Sequence, residues 1–227
     1  MGKIAIIPAR GGSKRIPRKN LLPFIGKPII SYSITTAISS GLFDKVIVST
    51  DDEEIKDIAE QYGAEVILRS ENNSKDHATT VDVLLEIITH FLNKNIYFDS
   101  ICCLYPTSPL ITSNLIKLAY ASLEGYDSLI CVSKYKHPIE RSLEIHNSKI
   151  KYTHPKYIST RTQDLSEKYY DTGQFYLIKP NSLLDTKRLV TNNSKAFILS
   201  ELEFQDIDTY EDFKLTEIKY KNQNEIQ

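Results

Sequence analysis

The chain has 227 residues, 41% hydrophobic and 25% charged, and its 28 Lys and Arg against 29 Asp and Glu leave a formal net charge of -1. That is a globular composition long enough for one sizeable core, and its balance withholds the basic excess that a nucleic acid or an anionic membrane surface calls for. No run reaches the roughly 18 apolar residues of a membrane span, and residues 1–10 lack the charged start and apolar middle of an export signal. Cys102, Cys103 and Cys131 lie in apolar runs, where small buried thiols in a reducing compartment are favoured over a disulfide or a metal. The expectation is a single cytoplasmic domain over residues 1–227.

In chain order, the first apolar run is KIAIIPA, a buried strand that leads into a loop rich in Gly and basic residues. Pro28 suits a first helical turn, Ile30, Ile34, Ala37 and Ile38 share one face, and Gly41 ends that helix. DKVIVST reads as the second strand. Asp51 and Asp52 open a helix carrying Ile55, Ile58, Ala59 and Tyr62, closed by Gly63. EVILRS is the third strand, and a helix from about Thr79 to Asn93 presents Val81, Leu84, Leu85, Ile88 and Leu92. DSICCLY and DSLICVS are two more strands. From about 134 to 170 the pattern loosens into polar, Tyr-rich stretches, an inserted arm before the strand QFYLI. Strands alternating with helices predict an α/β fold with a mostly parallel, Rossmann-like sheet and helices on both faces. The polar tail YKNQNEIQ reads as frayed.

The stretch IIPARGGSKRIPRKN, residues 6–20, concentrates Arg10, Lys14, Arg15, Arg18 and Lys19 around Gly11 and Gly12. Glycines let backbone approach a ligand and turn successive N–H groups into an anion site. Ligands of open α/β sheets collect beyond the carboxyl ends of strands, which is where this loop stands. Charge and position agree on phosphate, with a solvated basic turn as the alternative. The spacing matches neither G-x-x-x-x-G-K-[ST] nor G-x-G-x-x-G.

Followed by GKPIISYSI, that stretch resembles the opening signature of the cytidylyltransferases that activate nonulosonic and related 3-deoxy sugar acids as CMP-sugars. VIVSTDDEEI, LRSENNSKDHATT, LYPTSPL, RTQDLSEKYYDTGQFY and FQDIDTYEDF follow in the family's order, and RTQDL and YYDTGQFY most resemble members acting on pseudaminic acid. The resemblance implies a fold of the nucleotide-diphospho-sugar transferase type. It also implies attack of the sugar acid's anomeric hydroxyl on the α-phosphorus of CTP, with release of pyrophosphate. Such a reaction calls for charge neutralisation and positioning more than for a covalent nucleophile. By the same resemblance Arg10 and Lys19 bind CTP phosphates, with Gly11, Gly12, Ser13, Lys14 and Asn20 assisting. Arg15 and Arg18 fall on variable positions and read as solvated.

Asp206 and Asp208, two residues apart before a helix-like segment, suit a hard cation such as Mg2+, or a helix N-cap. The family match makes them metal ligands, with Asp208 catalytic beside Arg10 and Lys19. Arg69 and Thr80 are matched to nucleotide binding, against a surface ion pair and a helix cap. Pro106 and Pro109 shape the PTSPL loop. Tyr105, Arg161 and Gln174 are matched to the sugar acid, Arg161 to its carboxylate, a contact guanidinium can make bidentately. Tyr105 stands where sialic-acid-activating relatives carry Gln, and Glu140 where they tend to carry Lys. None of the five histidines has metal-ligand spacing. The rival acceptors are N-acetylneuraminic, legionaminic and 3-deoxy-octulosonic acids, and the rival class is a catalytically silent nucleotide-binding module. The expected assembly is a homodimer, the 134–170 arm being a dimerisation element or a lid.

Overall fold

The computed structural model describes residues 2–75 and 77–225. The chain runs β1 (Gly2–Pro8), the short hairpin β2 (Pro23–Phe24) and β3 (Lys27–Pro28), then α1 (Ile30–Ser39), β4 (Lys45–Thr50), α2 (Glu53–Gln61) and β5 (Glu65–Leu68). It continues through α3 (Thr80–Leu92), β6 (Phe98–Leu104), α4 (Ser113–Ala121), β7 (Ser128–Lys134) and the hairpin β8 (Leu143–His146) and β9 (Lys149–Tyr152). β10 (Tyr169–Ile178), α5 (Pro180–Thr186), β11 (Ser194–Ile198) and α6 (Tyr210–Glu225) complete it.

Seven strands form one sheet in the order β11-β7-β10-β6-β1-β4-β5. β1 pairs in parallel with β4 and β6, and β5 with β4 and β11 with β7 are parallel too. β10 runs antiparallel to both of its neighbours. The reason lies in the connection: no crossover helix separates β7 from β10, so a chain leaving at the carboxyl end of β7 can re-enter only in the reverse sense. The stretch between them holds β8, β9 and short 3₁₀ turns, with Leu143, Ile145 and Ile150 exposed.

Side chains of β1 alternate between two cores, as the pleat requires. Ala5 and Ile7 pack with Ile30 and Ile34 of α1, Ile55 and Ala59 of α2, and Ile116 of α4. Ile4 and Ile6 pack on the opposite face with Leu84, Ile87, Ile88 and Phe91 of α3 and Leu183 of α5. Burial on both faces is why the strand reads as a continuous apolar run. Pro28 does not open α1: it lies in β3, and Ile29 takes the position before the helix. Gly41, at φ +65°, follows the last turn as expected. Ile38 proves exposed.

A third, small cluster joins parts distant in sequence. Ile16 of the basic loop, Phe24 of β2, Ile29, Ile207 and Phe213 of α6 are buried together. The Phe24 ring meets Tyr32, Phe213 and Tyr220 edge-on, with centroids 5.1, 5.6 and 5.4 Å away. Because Phe24 is fully buried, Phe24→Ala is expected to cost about 3–5 kcal/mol of stability, read as a lowered urea midpoint.

Candidate active site

Three parallel strands end on one cavity of about 420 Å3, lined by residues that follow β1, β5 and β6. It lies where the chain, after β5, crosses to the other side of β1, the point of an open α/β sheet at which ligands collect. Arg10, Ser13, Lys14, Lys19 and Asn20 come from the first loop, Arg69 from the end of β5, Thr80 from the first turn of α3, and Tyr105 and Pro106 from the end of β6.

The first loop is clamped. The Gly11 N–H donates to Asp51 Oδ1 at 2.8 Å, and a Cβ built on Gly11 would stand 2.6 Å from Asp52 Oδ2. Gly11 is therefore needed for close approach to the start of α2, and its N–H is directed at a carboxylate, not into an anion site. The buried Asn20 amide donates to Arg10 O at 2.9 Å, which ties the two ends of the loop together. Asn20 supports the loop as well as lining the cavity. Arg18, at φ +55°, lies outside the cavity lining and pairs with Asp52 and Glu54. Arg15 departs from expectation: it lines the cavity and pairs with Asp208.

Asp206 and Asp208 lie beside the cavity without lining it. The Lys19 ammonium donates to Ile207 O and stands 4.0 Å from Asp208 Oδ1. Burial pulls the Lys19 pKa down, against the attraction of Asp208 and Asp206. Asp206 is pushed up, first by partial desolvation and then by the charge of Asp208. Neither carboxylate caps α6. Thr209 and Asp212 do so, with Thr209 N–H donating to Asp212 Oδ2 at 2.8 Å and Asp212 N–H to Thr209 Oγ1 at 3.2 Å. Among the described residues, no group of three or more His, Cys, Asp or Glu gathers as a metal site.

Among the described residues, Arg69 makes no surface ion pair. Its Nε reaches Ser49 Oγ at 3.2 Å and its Nη2 reaches Ser49 O at 3.1 Å, and burial lowers its pKa. Thr79, not Thr80, caps α3, in a reciprocal box with Asp82. The Thr80 hydroxyl lies 3.0 Å from the Tyr105 hydroxyl instead. Gln174 is buried and does not line the cavity. Its carbonyl accepts from Tyr105 N–H at 2.9 Å and from Ser108 Oγ at 3.3 Å, so it supports the 105–108 turn through its backbone. Its side-chain amide donates to Thr172 O at 2.8 Å. Arg161 lies in the arm, outside this cavity, and pairs with Asp164. Lys75, also on the wall, was not singled out in the sequence, although it sits inside the LRSENNSKDHATT stretch.

An α/β sheet with a cationic cavity at its switch point defines a class of protein that binds an anionic ligand at strand ends. The chain belongs to the cytidylyltransferase family, whose description matches residues 4–222. It is 39% identical to a pseudaminic acid cytidylyltransferase of Campylobacter jejuni, over 99% of both chains. It is 36% identical to an N-acylneuraminate cytidylyltransferase of Escherichia coli, over 93% of this chain and 50% of that one. A CMP:2-keto-3-deoxy-manno-octonic acid synthetase solved with CTP superposes with a TM-score of 0.72, 17% identity and coverage of 99% and 100%. At that identity the likeness concerns the fold.

Arg10 points its loop at the cavity and Arg18 is held outside it. Arg10→Ala is therefore expected to lower kcat/KM for CTP by about ten- to a hundredfold, the worth of one charge-assisted contact. Arg18→Ala should change it by less than threefold. Equal, small losses in both would assign the loop to a solvated turn.

Proposed function

We propose that this enzyme transfers CMP from CTP to the anomeric hydroxyl of pseudaminic acid. The hydroxyl oxygen forms a bond to the α-phosphorus, the bond to the pyrophosphate oxygen breaks, and the proton passes to solvent or a base. The full-length match at 39% identity to an enzyme named for that acid carries the reading. Convergence of Arg10, Lys14, Lys19 and Arg69 on one cavity supports it, since phosphoryl transfer of this kind depends on screening and aligning a triphosphate. Ser13 and Thr80 are the neutral polar contacts of that wall, and Tyr105 is the residue on it assigned to the acceptor. Arg161 is assigned to the sugar carboxylate from the arm, where it is exposed. The catalytically silent alternative is disfavoured by the retention of all these groups together.

Asp206 and Asp208 are the residues that would hold Mg2+, and when bound that ion would screen the triphosphate and acidify the attacking hydroxyl. The fit rests on donor chemistry: two oxygen ligands side by side, with Asp206 raised first by burial and then by the charge of Asp208. The remaining coordination would fall to phosphate and water. We also propose that the protein works in the cytoplasm, where CTP is made, as a single domain that pairs as a homodimer through its 134–170 arm. Ile145 and Ile150, 73% and 67% exposed on β8 and β9, supply an apolar face for pairing. Light scattering at a molecular mass of one chain would end the dimer proposal.

The test of the reaction is CMP-sugar formation from CTP with pseudaminic, N-acetylneuraminic, legionaminic and 3-deoxy-octulosonic acids side by side. Pseudaminic acid should be preferred by at least about a hundredfold in kcat/KM, because a site fitted to one set of hydroxyls and amides leaves polar groups unpaired with another. Tyr105→Gln should narrow that preference, an amide offering more hydrogen bonds than a phenol. Comparable rates on all four acids, or a preference for another, would overturn the substrate.

The metal assignment has its own readout. A carboxyl group whose folded pKa is raised costs stability when ionised, so the cost is absent at low pH and grows as pH rises through that pKa. Asp206→Asn removes it, and at pH 8 the metal-free variant is expected to melt no lower than the parent. It should also lose any rise in Tm on adding Mg2+. Asp208→Asn should reduce turnover by more than about a hundredfold with the fold intact. Full activity of either variant at low Mg2+ would remove the metal from this pair.

A further inference from the structure

The connection from β5 to α3 holds its course without an apolar anchor. None of its described residues from Arg69 to Thr80 is buried, so polar bonds set its path. Glu86, one turn beyond Asp82 on α3, takes two of them: the Ser70 N–H donates to Oε1 at 2.8 Å and the Asn73 amide to Oε2 at 2.7 Å. Within the turn so held, the Asn73 and Ser74 N–H groups both donate to Ser70 O at 3.1 Å. Lys75 comes next, its carbonyl accepting from the Ala78 N–H at 3.1 Å. Lys75, Ala78, Thr79 and Thr80 all line the cavity.

Burial works to raise the Glu86 carboxyl, but the bonds from Asn73 and Ser70 prevail and hold it below the usual carboxylate range. Glu86 therefore meets the turn as an acceptor on both oxygens. We propose that Lys75 is a further ligand-binding residue of this cavity, giving its ammonium to an anionic oxygen of the ligand, and that Glu86 is a positioning residue that keeps it there by tying down the turn. The inference rests on the reading of the cavity as the site of CTP and sugar acid. Either ligand offers the anionic oxygen, the nucleotide in its phosphates and the sugar acid in its carboxylate, and an ammonium with three donors on a flexible stem suits both.

A rival role for Glu86 is electrostatic, since its charge also favours the charged form of Arg69. Two substitutions separate the roles. In Glu86→Gln the charge goes but the turn stays held: the amide oxygen still accepts from the Ser70 N–H, and Asn73 can turn its own amide so that its oxygen accepts from the new NH2. The cost is only the 3.4 Å contact of Asn73 Nδ2 with Asp82 O. Glu86→Leu removes both the charge and the bonds. Bracing therefore predicts that Gln is tolerated where Leu is not, whereas an action through charge predicts equal losses in the two.

The experiment measures the Kd of CTP by calorimetry, and KM and kcat for the sugar acid that the parent turns over, at saturating CTP. Lys75→Met is expected to weaken one ligand by about five- to tenfold, the worth of one partly screened charged contact, and the gap should narrow as salt is raised. A rise in the Kd of CTP places the contact on a phosphate, and a rise in the acid's KM alone places it on the carboxylate. Glu86→Leu should lose most of the same affinity, Glu86→Gln should stay within about twofold of the parent, and Lys75→Met/Glu86→Leu should be no worse than Lys75→Met. Unchanged Kd and KM in Lys75→Met would overturn the proposal. Equal losses in Glu86→Gln and Glu86→Leu, or losses that add in the double variant, would overturn the part given to Glu86. Should Glu86→Leu fail to fold, Asn73→Ala takes its place, since it removes one of the two bonds from the side of the turn. Failure of the parent to turn over any of the four acids would overturn the substrate reading alone, with the Kd of CTP deciding Lys75. If the parent bound no CTP, the reading of the cavity would fall, and inorganic pyrophosphate would decide Lys75 by the same comparison, equal binding by parent and Lys75→Met overturning it.

Discussion

The arrangement of the site depends on the burial of two isoleucines from opposite ends of the chain. Ile16 sits in the basic loop and Ile207 between the two aspartates, and each is only 1% exposed within the cluster built on Phe24. Burying such a side chain contributes about 1.5–3 kcal/mol, whereas a solvent-exposed ion pair contributes about 0–1 kcal/mol. The apolar cluster, not the attraction between Arg15 and Asp208, therefore sets how near the cationic and anionic loops come. The charges beside it remain at the surface of the protein, where a ligand can exchange partners with them.

That division explains the opposed titration shifts. Lys19 is drawn down by burial and Asp206 is drawn up by desolvation and by Asp208, so both groups sit where their charged forms are disfavoured. Each would be relieved by an opposite charge: Lys19 by a phosphate, Asp206 by a cation. Arg69 is in the same condition, half-buried with neutral oxygens of Ser49 as its partners. With Arg69 held by neutral serine oxygens, the cavity keeps an electrostatic demand for an anionic ligand there. The clamp of Gly11 on Asp51 works to the same end, since it fixes the loop's path without neutralising Arg10 or Lys14 by that bond.

The parallel part of the fold was legible because strands buried on both faces cannot hide their apolar runs, as in β1, β4 and β6. Turn chemistry was legible where a single residue type decides it: Gly41 and Gly63 at positive φ, Asp52 as the cap of α2. β11 was not, since SKAFI at a sheet edge buries none of its side chains fully. The buried face of α3 came out partly rotated, with Val83, Ile87 and Phe91 inside and Val81 and Leu85 only partly covered, because its amphipathic stripe is wide. In the site, the family resemblance marked Arg10, Lys19, Arg69 and Thr80, and all of them line the cavity. Arg15 was missed because its pairing with Asp208 joins positions 193 residues apart, a contact that no local pattern carries. Gln174 lies off the cavity wall, and its contribution to the wall passes through its backbone carbonyl, which a side-chain pattern does not reveal.

β10 is the strand that breaks the parallel alternation, and it carries Asp171, Gly173, Gln174 and Tyr176. Loops after the parallel strands supply the cations of the cavity wall, while β10 acts on Tyr105 from behind, through the Gln174 carbonyl and the Tyr176 ring. The register shift between Asp171 and Tyr176 and the positive φ of Gly173 show that this part of β10 departs from regular pairing with β7, as strands commonly do beside active sites. An irregular strand can change its side chains without disturbing the parallel ladder next to it. Parallel strands whose loops supply the cavity's cations and an irregular antiparallel strand behind Tyr105 can therefore vary separately. Such a division suits a family in which this chain is 39% identical to an enzyme named for pseudaminic acid and 36% identical to one named for N-acylneuraminate.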